Sequence, residues 1–144
     1  TQLTQIFFYH DAVDRLGATA ALIGKAVARN KSLIVYAPEA EMATALDRHL
    51  WQQPPTGFVP HVDAGSPLAA ETPVVIARDL ETIIHDERLF NFSNQVPPGF
   101  SRFTSLIEVV GQDAAERLAA RERVKYYKDR GYGIQYFDLS EGTA

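Results

Sequence analysis

At 144 residues, 46% of them hydrophobic and 22% charged, the chain has the make-up of one globular domain, long enough to bury its own core. The absence of cysteine excludes a disulfide framework, a thiolate metal site and a cysteine nucleophile. A net charge of −4 argues against general attraction to nucleic acid, but residues 112–130 set six arginines and lysines against four carboxylates, a local basic patch suited to one acidic partner.

In chain order, Thr4-Gln5-Ile6-Phe7-Phe8-Tyr9 is a short aromatic and β-branched run that reads as a buried strand. Val13, Leu16, Ala20, Ile23 and Val27 follow at alternating spacings of three and four, which draws one apolar face on a helix, with Asp11 placed to cap it. Leu33-Ile34-Val35-Tyr36 is the second strand, and Pro38 with Glu39 and Glu41 opens a second helix reaching about Leu50. Strand and helix alternating in this way argue for parallel pairing. From Gln52 to Ala70 the density of proline and glycine predicts loop, with at most a short extended piece near Phe58-Val59. Pro73 to Ala77 reads as a strand, and Leu89-Phe90-Asn91-Phe92 as another with alternating faces; residues 79–88 have no clear pattern. After the break at Pro97-Pro98-Gly99 come a strand at Leu106–Val110, a helix from about Gln112 to Arg130 and a last strand at Ile134–Phe137. The expectation is a single α/β domain over residues 1–144, three layers deep, with a mainly parallel sheet. No apolar run approaches the roughly 20 residues of a membrane span. The opening Thr1-Gln2-Leu3 has neither the charged nor the apolar region of a signal peptide. A cytoplasmic protein without a membrane partner is expected.

Motifs for catalysis are thin. Gly17 and Gly24-Lys25 fail as a phosphate loop: six residues separate the glycines, Ala26 stands where Ser or Thr is required, and Lys25 lies inside the helical pattern. The first strand is not followed by G-x-G-x-x-G, so a dinucleotide has no fingerprint. His10, His49, His61 and His85 are scattered without paired ligand spacing, and no Gly-x-Ser-x-Gly elbow is present. His10-Asp11 with Asp14 forms at most a weak metal or base site at a strand end, and a polar strand-to-helix turn explains it better. No cofactor, metal or catalytic residue is assigned.

Two features remain. On the last helix Arg117, Arg121, Lys125 and Lys128 fall at relative angles of about 0°, 40°, 80° and 20°, with Val124 at about −20° among them. Ala115, Leu118, Ala119 and Tyr126 gather on another side, read as the core face, with Glu122 unexplained close by. The stripe fits a solvated face with cations at a helix C-terminus, or a receptor whose cations pair with a peptide's carboxylates while an apolar side chain rests on the valine. The second feature is the run Trp51 to His61, whose Trp and Phe around a proline-rich loop fit either a plug over the core or an interface anchor.

Leu46-Asp47-Arg48-His49-Leu50-Trp51, then Phe58-Val59-Pro60-His61, then Ala119-Ala120-Arg121-Glu122-Arg123-Val124-Lys125 together resemble the chi subunit family of bacterial DNA polymerase III. The likeness covers the whole chain and is weakest from Asp79 to Phe103. It implies a Rossmann-like fold without a nucleotide-binding role, and a non-catalytic accessory subunit of the clamp-loader assembly. It further implies binding of the acidic, Phe-terminated C-terminal tail of single-stranded DNA-binding protein (SSB), so that DNA is reached only indirectly. By position, Arg121 is expected to hold the tail's terminal carboxylate, Arg117 and Lys125 its acidic residues, and Val110, Val124 and Ile134 its last aromatic ring. Tyrosine is common in the family where this chain has Val124. Trp51, Phe58, Val59, Pro60 and His61 match the region that faces the psi subunit or, in its place, a chi-binding helicase. The competing readings are a small nucleotide- or phosphate-handling enzyme on a Rossmann-like sheet, and direct binding of single-stranded DNA by the basic stripe.

Overall fold

The computed structural model describes residues 3–51, 61–66, 68 and 72–140, with Trp51 by its backbone alone. Among these residues seven strands, β1 (Gln5–Ala12), β2 (Leu33–Tyr36), β3 (His61–Asp63), β4 (Val74–Ala77), β5 (Arg88–Asn91), β6 (Ser105–Gly111) and β7 (Ile134–Asp138), form one sheet. Their order is β3-β4-β2-β5-β6-β1-β7, and every neighbouring pair is parallel. Among the described residues three α-helices, α1 (Arg15–Ala28), α2 (Ala40–Trp51) and α3 (Ala114–Asp129), lie in the connections β1–β2, β2–β3 and β6–β7 and form the outer layers.

A parallel sheet is covered on both faces, and this explains why β2 and β4 read as continuous apolar runs. Ala20 and Ile23 of α1 and Leu46 and Leu50 of α2 pack on one face, against Leu33, Val35, Val74, Ile76, Phe90, Ile107 and Val109. On the other face Ile34, Val75, Leu89 and Leu106 meet Phe100, Phe103, Leu80 and, from α3, Tyr127. The alternating faces expected for residues 89–92 exist, but both are buried.

Several expectations are corrected in detail. α1 begins at Arg15 and Val13 is exposed in the turn, so Asp14 takes the cap position, without a side-chain cap bond. Asp11, expected to cap that helix, lies in β1 at φ 59 and turns its carboxylate elsewhere. α2 starts at Ala40, two residues after the proline. The proline-rich stretch contains strand β3, while the extended piece expected at Phe58-Val59 lies outside the described residues. Of residues 79–88, which had no clear pattern, 79–87 form a loop without regular structure, held by Arg102 donating to the carbonyls of His85 and Leu80, and Arg88 opens β5.

The largest correction concerns α3. Its core face is Ala120, Arg123 and Tyr127, not the Ala115-Leu118-Ala119-Tyr126 side, and Leu118 is 60% exposed. The reason is a buried ionic cluster that substitutes for apolar packing. Glu108 of β6, fully buried, receives Nε of Arg123 at 3.2 and 3.1 Å, the Tyr127 hydroxyl at 2.5 Å and the Asn91 amide at 3.0 Å. Such a pair is tolerated inside only because several donors converge on the carboxylate. Burial, followed by the charge and hydrogen bond of Glu108, pushes the Tyr127 hydroxyl far above its ordinary range, so it stays a donor at every accessible pH. Glu122, unexplained while its neighbours were read as core, is exposed.

Candidate peptide-binding groove

The chain leaves β1 for α1 on one face of the sheet and leaves β6 for α3 on the opposite face, although β1 and β6 are neighbours. Such a reversal opens a crevice at the carboxyl ends of the two strands, the place where open α/β sheets bind ligands. A groove of about 480 Å³ lies there. Its floor is apolar: Phe8 of β1 and Val110 of β6 pack with Ala120 of α3, and Val124 and Ile134 close around them. α3 supplies one wall with Arg117, Arg121 and Val124, and Tyr136 of β7 lines the groove with them.

α3 is fixed at this spot by its own first turn. The Asp113 carboxylate accepts the Glu116 amide at 3.1 Å, and the Glu116 carboxylate accepts the Gly111 amide at 2.9 Å, tying the helix start to the end of β6. Arg15, buried, donates from Nε to the Val109 carbonyl at 2.8 Å and bonds Ser93 and Asn94, which locks α1 and the 93–94 loop to the same strand end. Burial lowers the Arg15 pKa, yet the guanidinium remains a cation at neutral pH.

The six residues expected to form a tail site divide as follows. Arg117, Arg121, Val124 and Val110 come together in the groove. Val110 is only 3% exposed and acts as floor rather than wall, and Ile134 supports it from beneath. Lys125 is exposed on α3 and does not line the groove. Arg117 is already engaged: its Nη2 donates to Asp11 Oδ1 at 2.7 Å, while Asp11 Oδ2 lies 2.7 Å from His10 Nδ1. Among the described residues Arg121 has neither a hydrogen bond nor an ion pair, so its guanidinium stands ready for an anion. The second expected surface is less visible. Phe58, Val59, Pro60 and the Trp51 side chain lie outside the described residues. The His61 ring is buried, with Nε2 2.9 Å from Asp47 of α2, so it braces that edge of the sheet from within.

Phe8, His10, Asp11 and Tyr136 belong to the groove but were not assigned to it from sequence. His10-Asp11 stood out only as a polar pair at a strand end. Nothing local joins it to α3, because the contact depends on β1 lying between β6 and β7. As for metals, the ligand atoms of His10, Asp11 and Asp138 lie within 4.8 Å of one another. Arg117 holds Asp11, and the Ser140 amide, donating at 2.8 Å, keeps the Asp138 carboxyl below its usual pKa. The three are therefore satisfied as a hydrogen-bonded cluster. The turn from β1 into α1 carries Asp11 and Asp14 where a phosphate would need glycine and bare amides, and this disfavours nucleotide chemistry. Among the described residues no helix is long and apolar enough to cross a membrane.

Residues 3–135 match the family model described as DNA polymerase III chi subunit, HolC. The chain is 27% identical over 137 residues to the DNA polymerase III subunit chi of Pseudomonas aeruginosa, covering 92% of this chain and 95% of that protein. It is 30% identical over 108 residues to the Haemophilus influenzae protein of the same name, with 72% and 73% covered. With the Escherichia coli protein, also DNA polymerase III subunit chi, identity is 27% over 127 residues, covering 85% and 86%. The chain belongs to the DNA polymerase III chi subunit family.

Proposed function

We propose that this chain is a non-catalytic accessory subunit that links the DNA polymerase III clamp-loader assembly to single-stranded DNA, by holding the acidic C-terminal tail of SSB in the groove between β1 and α3. The observation that carries the reading is the juxtaposition in one groove of an uncommitted guanidinium, Arg121, with an apolar floor of Phe8 and Val110. A peptide's terminal carboxylate pairs with Arg121 in a charge-assisted, bidentate geometry, and its last side chain rests on the floor. Arg117 and Lys125 meet the acidic residues upstream. The contact is small and its rim is wet, so affinity falls in the micromolar range.

In this role the protein acts in the cytoplasm, and DNA is contacted through SSB rather than by the stripe itself. The edge of the sheet around α2 and β3, beginning at Trp51, serves the second partner, psi or a chi-binding helicase. The test is retention of the protein on immobilised SSB and on SSB lacking its last ten or so residues. Binding should vanish with the truncation; equal retention on both forms contradicts the proposal.

A further inference from the structure

Leu22, Lys25 and Arg29 recur at spacings of three and four along α1, on a side of the helix distinct from the one that buries Ala20 and Ile23. That side opens on a groove of about 490 Å³, on the face of the sheet opposite α3. It shares no lining residue with the groove between β1 and α3. Phe7 and Tyr9 of β1 form its other wall, and buried Phe90 and Ile107 its floor. Phe137 of β7, 38% exposed, extends the apolar surface by stacking on Tyr9 with ring centroids 4.7 Å apart.

The charge of this groove is all of one sign and gathers at one end. Lys25 and Arg29, Lys31 ahead of β2 and Arg88 at the start of β5 line it, and among the described residues no carboxylate does. Because α1 runs back from the carboxyl end of β1 to the start of β2, all four cations meet at the amino ends of the parallel strands. Arg88 donates to the Ser32 carbonyl at 3.1 Å. Among the described residues the side chains of Lys25, Arg29 and Lys31 have neither a hydrogen bond nor an ion pair. A helix C-terminus favours cations, which accounts for Lys25 and Arg29 but not for Lys31 and Arg88, on other elements of a protein whose net charge is −4. We propose that this groove docks a short peptide segment of a partner protein, apolar at one end and rich in carboxylates at the other. The apolar side chains rest on Tyr9, Leu22 and Leu139, and the carboxylates meet the four cations. Single-stranded nucleic acid fits less well, since it carries a phosphate at every nucleotide and needs cations along the whole track.

The experiment follows the fluorescence anisotropy of a labelled, C-terminally amidated peptide of leucines followed by glutamates. It is run on the Arg121→Ala chain, which keeps the groove on α3 out of the measurement. Adding Lys25→Ala with Arg29→Ala, both exposed, should weaken binding by about threefold to tenfold. Adding Ala21→Gln instead, which fills the groove without changing its charge, should weaken it by about fivefold or more. A peptide with serine in place of leucine should bind at least about tenfold more weakly. Unchanged melting curves show that each fold is intact, and the exposed cations carry the test should Ala21→Gln lower the melting temperature. The inference is overturned by no binding of the leucine peptide, by equal affinity in the variants, or by equal affinity for the serine peptide. Tighter binding of a labelled oligothymidylate would make the groove a nucleic-acid site instead, and a dimer in sedimentation that Ala21→Gln dissociates would make its occupant a second copy; either result also overturns it. The reading of the groove on α3 stands or falls separately, with the SSB tail and Arg121.

Discussion

Asp11 is the residue at which the groove's electrostatics are decided. It adopts φ 59, a left-handed conformation that Asp and Asn reach more readily than other side chains, and this turns its carboxylate back over the strand end onto Arg117 and His10. Arg117 therefore reaches a ligand only by exchanging one carboxylate for another. Asp11 is in this sense an internal competitor for the cation that a peptide's acidic residue would take. Replacing it by Asn keeps the backbone conformation accessible and removes the competing charge. Both partners of the Asp11–Arg117 pair are partly exposed, where such pairs contribute roughly 0.2–1 kcal/mol. Asp11→Asn should accordingly tighten an acidic peptide by about twofold to fivefold in a fluorescence-anisotropy titration at low salt, with the gain shrinking as salt rises. Weaker binding by the variant would mean that Asp11 positions Arg117 for the ligand rather than competing with it.

At the scale of elements, α3 does two jobs on adjacent faces. One face turns Arg117, Arg121 and Val124 to the groove, and the other docks on β6 through Glu108, Arg123 and Tyr127. The dock is ionic, so removing one side of it leaves a charge stranded in the core. Glu108→Ala should cost about 3–5 kcal/mol in urea unfolding, while replacing both Glu108 and Arg123 by apolar residues of similar volume should recover most of that loss. A single variant within about 1 kcal/mol of wild type would show that the cluster does not anchor the helix. The same cluster explains what the sequence could not reveal. The positions of most strands were legible as apolar runs, and a helix from about Gln112 to Arg130 matches α3 closely, but its core face was not legible. A helix whose buried face carries an arginine defeats a reading by apolar periodicity, because the partner that makes its burial tolerable, Glu108, comes from a strand distant in sequence. β3 was hidden for a different reason: three residues after a run of prolines carry too little pattern to stand out.

For the whole molecule, the site is a product of strand order. Arg117, Arg121 and Val124 could be read together from helical spacing alone, since one helix carries them. Asp11, Phe8 and Tyr136 could not, because β1 reaches α3's wall only through its pairing with β6 on one side and β7 on the other. The parallel sheet brings all three strand ends to one edge, and the reversal of crossover direction between β1 and β6 opens that edge into a groove. An acidic protein thus presents a small basic mouth over an apolar floor, a geometry suited to the acidic tail of the proposed function. The central claim is that Arg121, the guanidinium without a partner at this mouth among the described residues, holds the tail's terminal carboxylate. Its most direct test is calorimetric titration of wild type and Arg121→Ala with a peptide of the SSB C-terminal tail. Removing a charge-assisted, bidentate contact predicts a loss of at least about 2 kcal/mol, roughly thirtyfold in affinity, with little change in melting temperature. Equal affinity of the two proteins for the peptide would contradict it.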